Sequence, residues 1–472
     1  MSFVQVEYPL FLLVVFGLYL LLGRRRAWQN AMLLGASLVF YGWVHPWFVG
    51  LMLAAAVVDF GVAQAIEDVP RYKRFFVAFS LTSNLGLLCW FKYTDFFAEQ
   101  VVTAGNALGL DLEWGGLGLM LPVGISFYTF QTIGYTLDVA RGELKARRNL
   151  VDYLLYVSFF CQLVAGPIER SQKLLPQIER TRIVTWAGLR SGVSLALWGA
   201  FKKMVVADSI APYVDKVFVL REPSGPLIWA ATAGFMVQIY ADFSGYTDMA
   251  RGSARLFGFE MSENFREPFL ARTTVEFWQR WHMSLSTWLR DYLMGPLVGD
   301  AGAGRVRFAL ATIATFVIIG FWHGASWNFV LFGLYHGFWV VFYGLAARRL
   351  PEWAARIPFG NALAIGFHLV AVGLVGSLLF RERNLDRIVM HLTRNPLVAP
   401  PDQWLAAVVV LSVTAVGCVP MIAHWAYVKR LRPRLASTEL YLPWQATAWS
   451  CVVLALFVFY RTTLADFVYF QF

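Results

Sequence analysis

Three histidines are placed where they could do chemistry: His282 in TTVEFWQRWHMSLSTWLRDY at 273–292, and His323 and His336 in FWHGASWNFVLFGLYHG at 321–337. Near neutral pH an imidazole can take the proton of a hydroxyl, turning a poor nucleophile into a useful one, and such help is worth roughly 10² to 10⁴-fold in rate. A neutral imidazole is also cheaper to hold in an apolar medium than a carboxylate. The medium matters here, because the segment from Phe308 to Ala347 has no Lys, Arg, Asp or Glu. The bland alternative for any buried histidine is a hydrogen bond between packed helices. His45, His368, His391 and His424 are read as structural or interfacial in that sense, and His336, followed by Gly337 and Trp339, as a helix-packing residue.

The elements that position these groups follow from the same stretches. As one helix, the uncharged segment would reach about 60 Å at 1.5 Å per residue, roughly twice the hydrocarbon thickness of a bilayer. A single helix would also rotate His336 by about 220° from His323 and set them on nearly opposite faces. A break must intervene, and HGASWN supplies it through Gly324, Ala325, Ser326 and Asn328. His323 then stands beside non-helical backbone, which at membrane depth must line protein or water. In the earlier stretch, Thr273 and Glu276 fit a capping box. Phe277, Trp281, Leu285, Trp288 and Tyr292 form one apolar stripe at helical spacing. The reading is one amphipathic helix, interfacial or partly buried, with a Glu276–Arg280 pair and His282 at the edge of the stripe.

Composition sets the class. Of 472 residues, 58% are apolar and 15% charged, against about 25% charged in an average soluble domain. Thirteen apolar runs, near 8–22, 29–43, 47–66, 75–91, 119–139, 150–166, 184–206, 227–247, 308–322, 326–347, 360–380, 404–428 and 446–460, predict an all-α polytopic membrane protein. Several are short for the ~20 residues of a full crossing, so the expected bundle has about 11–13 transmembrane or re-entrant helices. The whole chain, 1–472, is expected to form a single membrane domain. The net charge of +10 lies in loops between apolar runs, which points to membrane topology and not to nucleic acid. Arg24–Arg26, then Arg71, Lys73 and Arg74, then Arg141, Lys145, Arg147 and Arg148 fall on one side if the N-terminus is outside. The first run lacks a basic n-region and is expected to be a retained helix. Cys89, Cys161, Cys418 and Cys451 have no paired spacing and read as small core residues. Lys202, Lys203, Asp208, Asp242, Asp248, Arg251 and Glu276 lie in or beside membrane-like runs and predict a polar chamber. ADFSGYTDMARG at 241–252 could equally be a polar helix break or a charge chain for ions.

Several motifs together resemble the membrane-bound O-acyltransferases, most closely the bacterial branch that includes the alginate O-acetyltransferase membrane subunit. They are LPVGISFYTFQTIGYTLDVARG at 121–142, AGPIER at 165–170, DFSGYTDMARG at 242–252, ENFREPF at 263–269, EFWQRWHMSLSTWLRDYL at 276–293, GFWHGASWNFVLFGLYHG at 320–337 and the terminal VYFQF. The resemblance places the family's catalytic histidine on His323 and its second active-site histidine on His282. His336 matches a recurrent position.

What the resemblance implies is a helical bundle, thin at its centre, with a central tunnel joining the two membrane faces. The implied activity is membrane O-acyl transfer. An acetyl or other acyl group would pass from a cytoplasmic thioester, acetyl-CoA first among the donors, to an extracytoplasmic hydroxyl. The acceptor would be an alginate-like exopolysaccharide or a cell-wall polymer, reached directly or through an exported partner protein. His323 is expected to be the base and His282 to bind or polarise the thioester or orient the donor. Asp242, Tyr246, Asp248, Trp322, Asn328 and Arg280 are expected to contact substrate or shape the chamber. The implied location is the bacterial cytoplasmic (inner) membrane. No bound cofactor or metal is expected, since HExxH, HxxE and paired-Cys spacings are missing. The rival reading is an ion- or proton-coupled transporter, in which the buried charges and histidines would relay ions without acyl transfer. A purely structural scaffold ranks after it.

Overall fold

The computed structural model describes residues 1–163, 166–299, 304–345, 349, 352, 354–435, 441–460 and 467. All of VYFQF, Ala165 of AGPIER and residues 300–303 of the loop before Arg305 lie outside them. Each of the thirteen apolar runs contains helix, and no strand occurs among the described residues. Among the described residues, six helices are long and apolar enough to cross a membrane: Trp47–Asp68, Pro70–Lys92, Arg305–His323, Trp327–Leu345, Gly360–Arg381 and Pro401–Leu435. Glu7–Leu21, Leu150–Leu163 and Pro443–Val458 are shorter apolar helices. The protein is therefore a multi-pass, all-α membrane protein.

The other runs also form helices, and the longest of them lies inside the bundle. Gly225–Leu256 has 32 residues, most of them buried, and so spans about 48 Å. It packs against Trp186–Ala200 through glycines that let the backbones approach. A Cβ on Gly245 would stand 2.7 Å from the Gly199 carbonyl oxygen, and one on Gly252 2.6 Å from the Ala196 nitrogen. Where lipid removes the hydrophobic contrast between helices, such small-residue contacts hold them together.

The three basic clusters meet at one end of the bundle. Arg148 pairs with Asp68 at 2.6 Å, Arg147 with Glu179, and Arg26 donates to the Glu179 carbonyl oxygen. The Met1 ammonium donates to the Phe40 carbonyl oxygen at 2.9 Å, near the far end of the helix that begins at Arg26. The N-terminus thus lies at the end opposite the basic clusters. Of the four cysteines only Cys161 is a core residue; Cys89 and Cys451 are exposed on the outer surface of the bundle.

Candidate active site

The break predicted at HGASWN is where one helix, Arg305–His323, ends and the next, Trp327–Leu345, begins. The two form a tight antiparallel hairpin. Gly320 lies on the Phe329 carbonyl and Gly333 on that of Phe316, positions with no room for a side chain. The Asn328 amide donates to the Leu379 carbonyl oxygen at 3.0 Å and ties the hairpin tip to the helix Gly360–Arg381. On the other flank the Lys92 ammonium donates to the carbonyl oxygens of Trp322 and His323 at 2.6 and 3.0 Å. Lys92 ends the helix that starts at Lys73, so the tip lies far from the basic end.

His323 is 5% exposed and borders two cavities. One, of about 640 Å³, is walled by Trp278, Trp281, Phe332, His336, His368 and Phe380. It extends from the hairpin tip along Trp327–Leu345 toward the hairpin's base. That base belongs to the basic end: Arg141 donates to the Asp291 carbonyl oxygen and Arg307 to that of Leu297. The other cavity, of about 610 Å³, lies at the tip and is lined by Lys92, Ser126, Phe127 and Trp322. Of the described residues, His323 alone borders both spaces.

The continuous amphipathic helix expected over 273–292 is not formed. The chain makes Thr274–Trp278, turns, and resumes as Met283–Leu289, with His282 between them at φ 43° and ψ 51°. That left-handed conformation is unfavourable for a residue with a Cβ. Asn264 imposes it from outside the local sequence. Its carbonyl oxygen accepts from the Met283 N–H at 3.0 Å, and its side chain accepts from the Ser284 hydroxyl at 2.6 Å. Thr273 caps the first piece by accepting from the Glu276 N–H at 3.1 Å, as predicted. Glu276, however, pairs with Arg272 at 2.5 Å and not with Arg280, whose guanidinium donates instead to the Glu267 carbonyl oxygen. Of the two placements expected for the stripe the buried one holds: Trp281, Leu285, Trp288 and Tyr292 are core residues and Phe277 is half-buried.

The turn brings His282 against Trp322, the neighbour of His323 in the chain. Ring centroids are 6.4 Å apart for His282 and Trp322 and 4.9 Å for Trp322 and His323. The His282 ring also meets Phe243 edge-on at 4.7 Å. It packs on these aromatics rather than on the wall of either cavity.

The acidic residues expected near substrate lie elsewhere. Lys203 bonds Asp242 at 2.7 Å and Asp208 at 2.8 Å, all three buried. Lys202 bonds Asp248 at 2.8 Å, and Asp248 also faces Arg251 at 3.6 Å. The Tyr246 hydroxyl and that of Ser2 share a hydrogen bond at 3.1 Å. Together these groups form a polar spine inside the bundle, behind Phe243 and His282. Other residues, given no site role by the sequence, do reach the cavities. Lys92 looks like an ordinary helix-end charge, and only its contact across 230 residues reveals it. His368 and His336, read as structural, both face the larger cavity; spacing along one helix cannot show that two helices aim imidazoles into one space.

The family model for MBOAT, the membrane-bound O-acyltransferase family, matches residues 139–379. The chain is 36% identical over 380 residues to the "probable alginate O-acetylase" of Azotobacter vinelandii, covering 80% of this chain and 74% of that one. It is 32% identical over 387 residues to the peptidoglycan O-acetyltransferase of Helicobacter pylori, covering 74% and 70%. It is 28% identical over 270 residues to the teichoic acid D-alanyltransferase of Bacillus subtilis, covering 53% and 67%. The matched region contains both pieces around His282, the hairpin with His323 and most of the helix with His368, and so most of the wall of the aromatic cavity, whereas Lys92 and residues 121–127 of the tip cavity precede it. The protein is an O-acyltransferase and belongs to the membrane-bound O-acyltransferase family.

Proposed function

We propose that the protein moves an acetyl or other small acyl group from a cytoplasmic thioester, acetyl-CoA first, to a hydroxyl on the opposite side of the bacterial inner membrane. The acceptor is an exopolysaccharide or cell-wall polymer, reached directly or through an exported partner. The single observation behind this reading is that one imidazole, His323, borders two cavities, one at the hairpin tip beside Lys92 and one that runs past His336 to His368. The positive-inside pattern of the basic clusters supports reading the end toward which the larger cavity extends as cytoplasmic, with the N-terminus outside. The names of the relatives, which concern alginate, peptidoglycan and teichoic acid, support a polymer acceptor.

In this mechanism the thioester enters the aromatic cavity and the hydroxyl enters the cavity at the tip. His323 removes the hydroxyl proton as oxygen attacks the thioester carbonyl. The tetrahedral oxyanion collapses, the carbon–sulfur bond breaks, and the protonated imidazole returns its proton to the departing thiolate. Attack across a membrane needs no moving carrier, because the reactants meet at one ring. His282 meets Trp322 edge-on and sets the plane of that ring, which walls the acceptor cavity beside His323. Asp242, Tyr246 and Asp248 act through the spine that holds Phe243 against His282. Trp322 lines the acceptor side, while Asn328 and Arg280 fix the backbone around the two histidines.

Reconstitution with labelled acetyl-CoA, together with candidate exported partners and polymers, tests the reading. Wild type should transfer label, and His323→Ala should lose at least 100-fold. Normal transfer by both His323→Ala and His282→Ala would overturn it. Solute-coupled ion flux without transfer would replace it with the transport reading.

A further inference from the structure

The larger cavity poses a hydrogen-bonding problem that its aromatic wall does not answer. His336 is 3% and His368 1% exposed. The Nδ1 of His336 and both ring nitrogens of His368 have no hydrogen-bond partner among the described residues. An unsatisfied buried polar group is costly, and both rings line the same space. Gly376 keeps that space open beside His336, since a Cβ there would stand 2.5 Å from its Nε2. A hydrocarbon occupant such as a lipid tail would fill the volume and leave every one of these nitrogens unsatisfied. A charged occupant would meet aromatic rings and no counter-ion. The wall suits a slender, mostly apolar chain with neutral groups that each donate and accept one hydrogen bond. Neutral imidazole offers the same pair of functions, so a secondary amide is its complement.

We propose that His336 and His368 are the partners of the two amides in a pantetheine arm, and that they hold it with its thioester at His323. The inference rests on the reading that the donor is a thioester entering through this cavity. Ring contacts give the order of contacts. From His323 the wall runs to Phe332 at 6.1 Å, from Phe332 to His336 at 4.5 Å, and from Phe277, which faces His336 at 6.4 Å, to His368 at 5.5 Å. The amide nearer sulfur meets His336 and the farther one His368. Both are positioning residues, acting on the donor through its amides and not on the reacting carbonyl. Coenzyme A and a phosphopantetheinylated carrier protein present the same arm, so the site reads the arm and not its bearer.

The test is equilibrium binding to the full chain in nanodiscs, followed through the fluorescence of the wall tryptophans. The probes are pantetheine with two amides, N-acetylcysteamine with one and butanethiol with none. In wild type each amide should tighten binding by about three- to tenfold, the worth of one hydrogen bond. His336→Phe should erase the first step and His368→Phe the second, while His336→Gln and His368→Gln, which keep an amide partner, should retain them. Equal affinity of the three thiols for wild type, or steps that survive both Phe variants, would overturn the proposal. Displacement of pantetheine by coenzyme A or by the carrier protein identifies the bearer of the arm; displacement by neither overturns it. Transfer of label by wild type without any amide preference would remove this inference alone, whereas amide-dependent binding without transfer would remove the functional reading alone.

Discussion

Lys92 closes the carbonyl end of the helix that carries His323, donating to the His323 oxygen at 3.0 Å while its ammonium stands 5.9 Å from the Trp322 ring centre. A cation there meets the negative end of the helix dipole, an interaction worth up to about 2 kcal/mol in partly buried geometry. It also fixes the last turn, and with it the direction of the imidazole.

Replacing Lys92 by Met leaves two helix-end carbonyls without their donor. Unfolding in detergent should show a loss of about 1–3 kcal/mol, and label transfer should fall by at least tenfold, since small displacements of a base are costly. Lys92→Arg, which can span the same carbonyls, should recover most of the stability. Full transfer by Lys92→Met would show that the hairpin tip holds His323 without it.

The strained turn at His282 gives a second prediction, read on stability and not on rate. His282→Ala removes the ring but keeps a Cβ at φ 43°, whereas His282→Gly removes the ring and the strain together. The glycine variant should therefore be the more stable of the two by about 1 kcal/mol. Thermal unfolding of the pair measures the difference directly. Asn264→Ala, which releases the Ser284 hydroxyl and N–H from the side chain that holds them, should lower stability by about 1–2 kcal/mol in the same assay. An alanine variant of His282 as stable as the glycine one would mean that the turn is not under strain.

These contrasts show which parts of the molecule a sequence can reveal. Hydropathy located all thirteen apolar runs because each helix had to bury or expose its own side chains locally. The break at Gly324 was legible for the same reason: the forty uncharged residues could not be one span, and only one stretch within them had small, hydrogen-bonding residues. The turn at His282 was not legible, because the local pattern of Phe277, Trp281, Leu285 and Trp288 is a good helix and the force that breaks it comes from Asn264, eighteen residues upstream. Lys92 and His368 were hidden in a similar way, since what they do depends on which distant helix end or cavity they reach. The buried charges could be found but not paired: which lysine meets which carboxylate, Lys203 with Asp242 and Asp208 and Lys202 with Asp248, depends on how the helices pack.

The hairpin supplies a third prediction. Gly333 packs on the carbonyl of Phe316 and the backbone of Val317, so Gly333→Val must push the two helices apart along the segment that leads to His323. Overpacking of this kind costs about 1–3 kcal/mol, and the displaced imidazole should lower transfer by tenfold or more even where the variant reaches the membrane in normal amount. Gly366→Val offers the control: Gly366 lies on a helix of the same domain where a Cβ would meet no atom within 4 Å, and the substitution should leave both stability and transfer near wild type. Equal behaviour of the two variants would show that the close approach at the hairpin has no role in aiming His323.

The buried triad tests whether the polar spine is architecture or a path for ions. Lys203 is 1% exposed and bonds both Asp242 and Asp208, so Lys203→Met alone leaves two carboxylates in the protein interior without their shared cation. Breaking a buried pair in this way costs about 3–5 kcal/mol. Neutralising all three positions, Lys203→Met with Asp242→Asn and Asp208→Asn, removes the uncompensated charge as well as the attraction, and stability should return to within about 1–2 kcal/mol of wild type. If the spine acts only by holding Phe243 against His282, transfer by the triple variant should recover along with stability, to within about threefold of wild type. A triple variant that is stable yet inactive would place Asp242 in direct contact with substrate or with a moving proton, and the spine would then be part of the chemistry.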